Sequence, residues 1–309
     1  MKITYADLTK KPNVFKSFTG LDIKTFDELV VKFDKAYEAD LDKRDAERKK
    51  PRQRERGAGQ KGMLPTREGK LLFILFYFRH YPTQLLQGYL FGMGQPQANE
   101  WIHRLTPILN EALGYEKQLP ARQKRELSEV LGACPDLQFI IDGVERPIRR
   151  PKNKERQKRD YSGKKKRHTR KNNVIVEKQT GKIKGLSPTV EGKKHDKRLA
   201  DEQEIPFPEG SELWQDTGYQ GYKPEGVTIH QPKKKPRKRM LTAEEKEVNR
   251  GLSSERIGVE HAIGGVKVFR IAGDVFRHIK DGFDDLVMET ACGLHNLRVD
   301  RRLKQQAIG

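Results

Sequence analysis

Cysteine is almost missing from this chain of 309 residues. Cys134 and Cys292 stand far apart, so neither the paired spacing of a zinc site nor a disulfide framework is available. A reducing compartment, the cytoplasm, is the expectation, with both thiols buried as small apolar side chains. Long apolar runs are missing too. The longest, Leu71 to Phe78, is far short of the roughly 20 residues that span a bilayer. The N-terminus, Met1-Lys2-Ile3-Thr4-Tyr5-Ala6-Asp7, lacks the apolar core of a secretory signal. No segment repeats at a fixed period. Acid is scarce relative to base, with 63 Lys+Arg against 43 Asp+Glu and a formal charge of +20. That balance points to a polyanionic partner, nucleic acid first. An anionic membrane surface is the second choice, and the missing apolar segments weigh against it.

The length allows one large or two ordinary domains. From about Asp22, the residues Ile23, Phe26, Val30, Phe33 and Tyr37 recur at three- and four-residue spacing, which predicts a helix with one apolar stripe. Such a stripe packs on a neighbouring element or on a second subunit. Residues 41–62 are polar and basic, and Pro51 and Gly57-Ala58-Gly59 break any long helix there. This reads as a flexible linker able to touch phosphates, so residues 1–62 form an N-terminal helix and basic linker with a possible dimer contact.

Residues 63–115 carry a clearer pattern. Thr66 caps a helix whose apolar face is Leu71, Leu72, Leu75, Phe76 and Phe78. Tyr81-Pro82-Thr83 ends it and caps a second helix, Gln84 to Phe91. Gly92-Met93-Gly94 turns the chain into a third helix from about Pro96, with Ala98, Trp101, Ile102, Leu105 and Ile108–Leu109 facing inward. This is the plan of a helix-turn-helix. The third helix offers Gln95, Gln97, Asn99, His103 and Arg104 near its start, side-chain types that reach base edges. The bland alternative is a three-helix packing unit that touches no DNA.

Residues 116–135 form a connector with a short helix around Gln123 to Leu131. A catalytic-type region, 136–309, follows. Phe139-Ile140-Ile141 runs straight into Asp142, as in a strand buried on both faces that ends at an acid. Arg149 to Lys171 holds thirteen basic residues and repels itself, so it reads as an extended hairpin tip that meets phosphate through Lys164, Lys165, Lys166 and Arg167. Asn173–Glu177 and Lys184–Val190 frame the turn Gln179-Thr180-Gly181-Lys182. His195-Asp196 opens a helix. Leu213-Trp214-Gln215-Asp216 is a second strand that ends at an acid, and Val227 to His230 is a short further strand. Lys233 to Arg239 is a second basic run, with Lys233, Lys234, Lys235 and Arg237 as backbone contacts. From Thr242 a helical pattern runs to about Phe269, interrupted near Gly251, and a last helix spans about Asp285 to Leu303.

Two strand-end acids, Asp142 and Asp216, invite a third on a nearby helix, and Glu260 is the candidate. Arg256, Glu260 and Lys267 project from about one face of that helix. Spacing alone favours the more ordinary reading, an exposed, ion-paired helix face. Three converging acids with no cation would repel and protonate. Two divalent ions about 3.5–4 Å apart would relieve that, and Mg²⁺ suits oxygen-only sites. Strand alternation puts Asp142 and Glu145 on opposite faces, so only one of them joins Asp216 and Glu260.

Three separate stretches, Phe139–Glu145, Trp214–Gly221 and Asn249–Lys267, resemble the DDE-superfamily transposases of bacterial insertion sequences, in the branch related to Harbinger elements. Leu71 to Leu109, with Arg79-His80-Tyr81-Pro82 and Leu90-Phe91-Gly92, resembles the helix-turn-helix of that family. The resemblance covers about residues 65–302. It implies an α+β chain, an all-α helix-turn-helix region followed by a ribonuclease-H-like mixed sheet flanked by helices. It places a catalytic, metal-holding triad on Asp142, Asp216 and Glu260, leaving Glu145 a supporting or surface acid. Arg256 and Lys267 match the Arg and Lys of the family's Tyr-Arg-Glu-Lys signature and would position phosphate. The Tyr of that signature falls on Ser253.

The function so implied is strand cleavage and strand transfer at terminal inverted repeats, with two Mg²⁺ ions that Mn²⁺ can replace. Double-stranded DNA is the partner, in a synaptic complex that is at least a homodimer. No membrane is involved, and the setting is a prokaryotic cytoplasm, at the nucleoid when DNA is bound. The alternatives are an inactive DNA-binding descendant of a transposase and an endonuclease without strand transfer.

Overall fold

A computed structural model describes residues 2–50, 56, 62–236 and 240–307. The chain divides into two compact units. The first comprises residues 1–119, 268–272 and 286–301, and the second 120–267, 273–285 and 302–309. The division falls within the stretch 116–135 read as a connector, and part of the C-terminal stretch joins the first unit. No described helix is long and apolar enough to cross a membrane.

The first unit is helical. It contains α1 (Tyr5–Thr9), α2 (Pro12–Thr19), α3 (Ile23–Ala46), α4 (Arg67–His80), α5 (Gln84–Phe91) and α6 (Gln95–Tyr115). Asp22 caps α3 by accepting from Thr25 N–H. The apolar stripe of α3 is Phe26, Leu29, Phe33, Ala36 and Tyr37, all buried, and the helix packs on α4 and α6. The face that could have met a second subunit is therefore spent inside the chain. Of the linker, the described part is helical to Ala46, and three of its arginines are paired. Arg44 meets Asp40, Arg48 meets Asp45, and Arg56 meets Asp42 and Asp45.

The helix-turn-helix forms as its punctuation predicts. Thr66 and Thr83 cap α4 and α5, accepting from Gly69 N–H and Leu86 N–H. Gly92, with φ of 73°, closes α5 in the left-handed region. Gly88 matters for a second reason: a Cβ there would stand 2.6 Å from the Met93 carbonyl oxygen, so α5 meets the turn backbone to backbone.

The second unit opens with α7 (Lys124–Gly132) and β1 (Gln138–Pro147). There follow α8 (Lys154–Asp160), β2 (Tyr161–Ser162), β3 (Arg167–Glu177), β4 (Ile183–Leu186), β5 (Val190–Glu191), α9 (Asp196–Gln203), β6 (Glu212–Trp214) and β7 (Thr228–His230). Then come α10 (Ala243–Glu255), α11 (Ile257–Lys267) and α12 (Phe283–Gln306), the last continuing into the first unit. The sheet runs β2-β3-β1-β6-β7, with β4 and β5 also on β3. Strand β1 pairs antiparallel with β3 and parallel with β6, which itself runs parallel to β7. The mixed α+β architecture agrees with expectation.

Both faces of β1 are covered, which explains its unbroken apolar run. Phe139 and Ile141 join Leu127 and Leu131 of α7 and Ala200 of α9 in one core. Ile140 points the other way, toward α11, where Gly258 lies against it. Asp142 shares the Ile140 side, and Gly143 and Glu145 share the α9 side. The strand therefore delivers an acid to α11 and a glycine to α9.

Candidate active site

Asp142 does not end its strand as expected but is the fifth of ten residues in β1, just beyond the 138–140 stretch that pairs with β6, and the ladder to β3 sets it opposite Val174. Gly143 N–H donates to Asp142 Oδ1 at 2.8 Å. Asp216 follows β6 and caps a short 3₁₀ turn, accepting from Gly218 N–H at 2.7 Å. Glu260 lies in the first turn of α11. All three line one cavity of about 480 Å³, together with Arg256, Lys267, Asp196, Lys171 and the hairpin cations Lys164 and Lys165. The expected set thus converges, from three elements far apart in sequence.

The helix carrying Arg256 differs from expectation. It breaks at Arg256 and not at Gly251, giving α10 and α11. Arg256 caps α10, with its N–H on Leu252 O and Ser253 O, and its guanidinium lies 3.8 Å from Asp142 Oδ2. Ser253, where the family signature has Tyr, is exposed and donates to Asn249 O at 2.8 Å.

Acids and bases crowd round this one cavity. Burial pushes the Asp142 carboxyl up to about 6, the charges of Asp216 and Asp196 push the same way, and Arg256 and the Gly143 N–H oppose them. Lys267 is held below the ordinary lysine value by desolvation and then by Lys165, while Asp142 and Glu145 pull it back. Beneath the site Tyr219 is fully buried, its hydroxyl donating to Asn173 Oδ1 at 2.9 Å. Burial, with Asp196, Asp142 and Asp216 nearby, raises that phenol far above its usual range.

Two acids were not assigned to the site by sequence. Glu145 faces away from Asp142 by alternation, yet both line the cavity. Thr169 Oγ1 donates to Glu145 at 2.6 Å. Asp196, read as an ordinary helix-start acid, also lines the cavity. A signal was present in the glycines after each strand acid, Gly143 and Gly218, which mark a close approach to the backbone.

Sequence similarity identifies what uses such a site. Residues 141–296 match the family described as DDE superfamily endonuclease, and residues 63–114 match the helix-turn-helix of DDE superfamily endonuclease. The chain belongs to the DDE-superfamily transposases. This transposase chain is 30% identical, over 264 residues, to a protein of Microchaete diplosiphon described as a probable transposase for insertion sequence element IS702. The alignment covers 85% of this chain and 87% of that protein. No solved structure matches. The transposase family fixes the broad activity as DNA endonuclease chemistry. DDE endonucleases use divalent metal ions, generally Mg²⁺.

The donors fit that requirement in kind: hard carboxylate oxygens, one of them with its charge resisted by two more acids. Among the described residues, no three acids, histidines or cysteines gather at the spacing of a single ion.

In the helix-turn-helix, Gln95 and Gln97 are exposed on the first turn of α6. Gln95 Nε2 donates to Gln84 Oε1 at 2.7 Å, and Gln84 Nε2 to Asn99 Oδ1 at 2.8 Å, so three amides interlock. Gln97 accepts from Gly94 N–H at 3.4 Å, and His103 is half-buried. Arg104 is turned inward, 2.8 Å from Asp40 and stacked over Tyr37 and Trp101. Lys164, Lys165, Lys166 and Arg167 are exposed at the β2–β3 tip. The preceding basic run is not all loop, since 154–160 is helical and Asn153 caps it. Lys233 pairs with Glu245 at 2.6 Å, Lys234 and Lys235 are exposed, and Arg237 lies outside the described residues.

Proposed function

We propose that this transposase binds the terminal inverted repeats of its element and cuts and joins DNA at Asp142, Asp216 and Glu260. The observation that carries the reading is the meeting of these acids with Arg256, Lys267, Lys164 and Lys165 around one cavity. Acids and cations around one cavity suit a phosphodiester whose reacting oxygens need activation and whose phosphoryl charge needs compensation.

The three carboxylates would hold two Mg²⁺ ions, which supply activation of the attacking oxygen and stabilisation of the leaving one. The chain's own groups do the rest. Lys267 and Arg256 sit where they can hold the non-bridging phosphate oxygens and the carboxylates. In the first step a water oxygen attacks phosphorus and the P–O3′ bond breaks, leaving a 3′-hydroxyl on the element end. In the second, that hydroxyl attacks a target phosphodiester. A P–O3′ bond forms as the target's breaks, so bonds balance with no external energy source. The exposed cations of the β2–β3 tip and of 233–235 hold the DNA backbone. The exposed amides at the start of α6 read base edges. Two ends must be held together, so the working form is at least a dimer.

The test is nicking of a duplex carrying an element end. Wild type should cut with Mg²⁺ or Mn²⁺, and Asp142→Asn should bind but not cut. Binding without cutting by wild type would sink the enzyme reading. With pre-cleaved ends, hydrolysis alone would leave an endonuclease and remove strand transfer.

A further inference from the structure

Asp196 is one of the two acids that the triad leaves over. It is the first residue of α9, placed by the helix start and by His195 in extended backbone before it. Its carboxylate lies over the backbone just after Asp142 and Asp216. An ideal Cβ on Gly143 would stand 2.8 Å from Asp196 Oδ1. An ideal Cβ on Gly218 would stand 3.1 Å from Asp196 Oδ2 and 2.8 Å from Asp216 Oδ1. One point on Gly218 is thus flanked by oxygens of two different acids. Lys171 Nζ holds the other oxygen, Oδ1, at 2.9 Å, and is itself anchored by donating to Lys194 O at 2.8 Å. Lys171 comes from β3 opposite Glu145, so the sheet fixes the clamp.

Helix-start acids are common, and the dipole alone accounts for an exposed one. This one is only 17% exposed and stands among two more carboxylates on the wall of the cavity. Lys171 already compensates one oxygen of this carboxylate, and a divalent cation would compensate the rest of the cluster.

We propose that Asp196 is a fourth carboxylate of the divalent-cation site, with Lys171 steadying Oδ1 and Oδ2 serving as the donor beside Asp216. The proposal rests on the metal-dependent reading of the site given above. It also assigns Gly143 and Gly218 a purpose, to make room for this carboxylate.

The experiment is Mn²⁺ titration of the full chain without DNA, free Mn²⁺ being counted by its electron paramagnetic resonance signal. Compared are wild type, Asp196→Asn, Asp196→Glu, Lys171→Met and Asp142→Asn, with circular dichroism to confirm folding. Asp196→Asn should weaken Mn²⁺ binding about tenfold. Asp196→Glu, which restores the charge, should recover most of it. Lys171→Met should bind within about twofold of wild type, since no donor oxygen is lost. If Asp142→Asn loses Mn²⁺ while Asp196→Asn binds as wild type does, Asp196 is a structural partner of Lys171 and the proposal is overturned. If Asp142→Asn also binds normally, the metal reading fails first, and this proposal with it. Should Asp196→Asn not fold, Asp196→Ser takes its place, and wild-type Mn²⁺ affinity in that variant would overturn the proposal.

Discussion

Arg256 Nη2 stands 3.8 Å from Asp142 Oδ2, reaching from the break between α10 and α11 to the middle of β1. It is the cation set against an acid that burial has raised to about 6. Replacing Arg256 with Gln should raise the Asp142 carboxyl further. The apparent pKa for Mg²⁺-dependent cleavage should then move upward. An unchanged pH profile would show that this pairing does not govern the site.

Asp142 also makes a stability prediction. Its folded value lies above its unfolded one, so the folded state holds the proton more tightly. Stability is therefore lost as pH rises from about 4 to about 6 and stays lost above that. A rise of that size corresponds to at most about 3 kcal/mol. Metal-free Asp142→Asn should melt above wild type at pH 7.5 and close to it at pH 4. Mg²⁺ should narrow the gap at pH 7.5 by stabilising wild type alone. Melting curves at both pH values, with and without Mg²⁺, check this.

The helix-turn-helix depends on Gly88. Its substitution by Ala drives a Cβ into the Met93 carbonyl and should destabilise the first unit by about 1–3 kcal/mol. Gly114→Ala, where the new Cβ meets only ordinary van der Waals contact, is the control. Equal melting temperatures for the two would contradict the close approach.

Arg104 and the α6 amides should part company. Arg104→Ala removes an ion pair and a stacked guanidinium, so its first effect is on stability, about 1–2 kcal/mol. Gln97→Ala should leave melting unchanged and blur discrimination between end and random DNA. Competition binding against both DNAs separates the two.

Neutralising Lys164, Lys165 and Lys166 together should weaken binding to all DNA and shallow its salt dependence by about two to three in log–log slope. Lys233 is already paired to Glu245, so Lys233→Gln alone should change the slope less.

The apolar run Phe139–Ile141 determines by itself a strand covered on both faces, because only that environment rewards three consecutive apolar residues before an acid. Thr66, Thr83 and Gly92 determine the helix-turn-helix in the same local way, through caps and a left-handed closure. Family resemblance supplied the pairing of Asp142, Asp216 and Glu260, which spacing alone did not favour. Only the tertiary structure decided the rest. The stripe of α3 turned inward because α4 and α6 offered it buried area within the same chain. Arg256 broke its helix and swung to Asp142, a choice no periodicity records. Glu145 and Asp196 also line the cavity, which alternation along β1 had assigned to the Asp142 face alone. Local propensity writes caps and periods into the sequence, whereas the meeting of charges depends on which chain ends the sheet brings together.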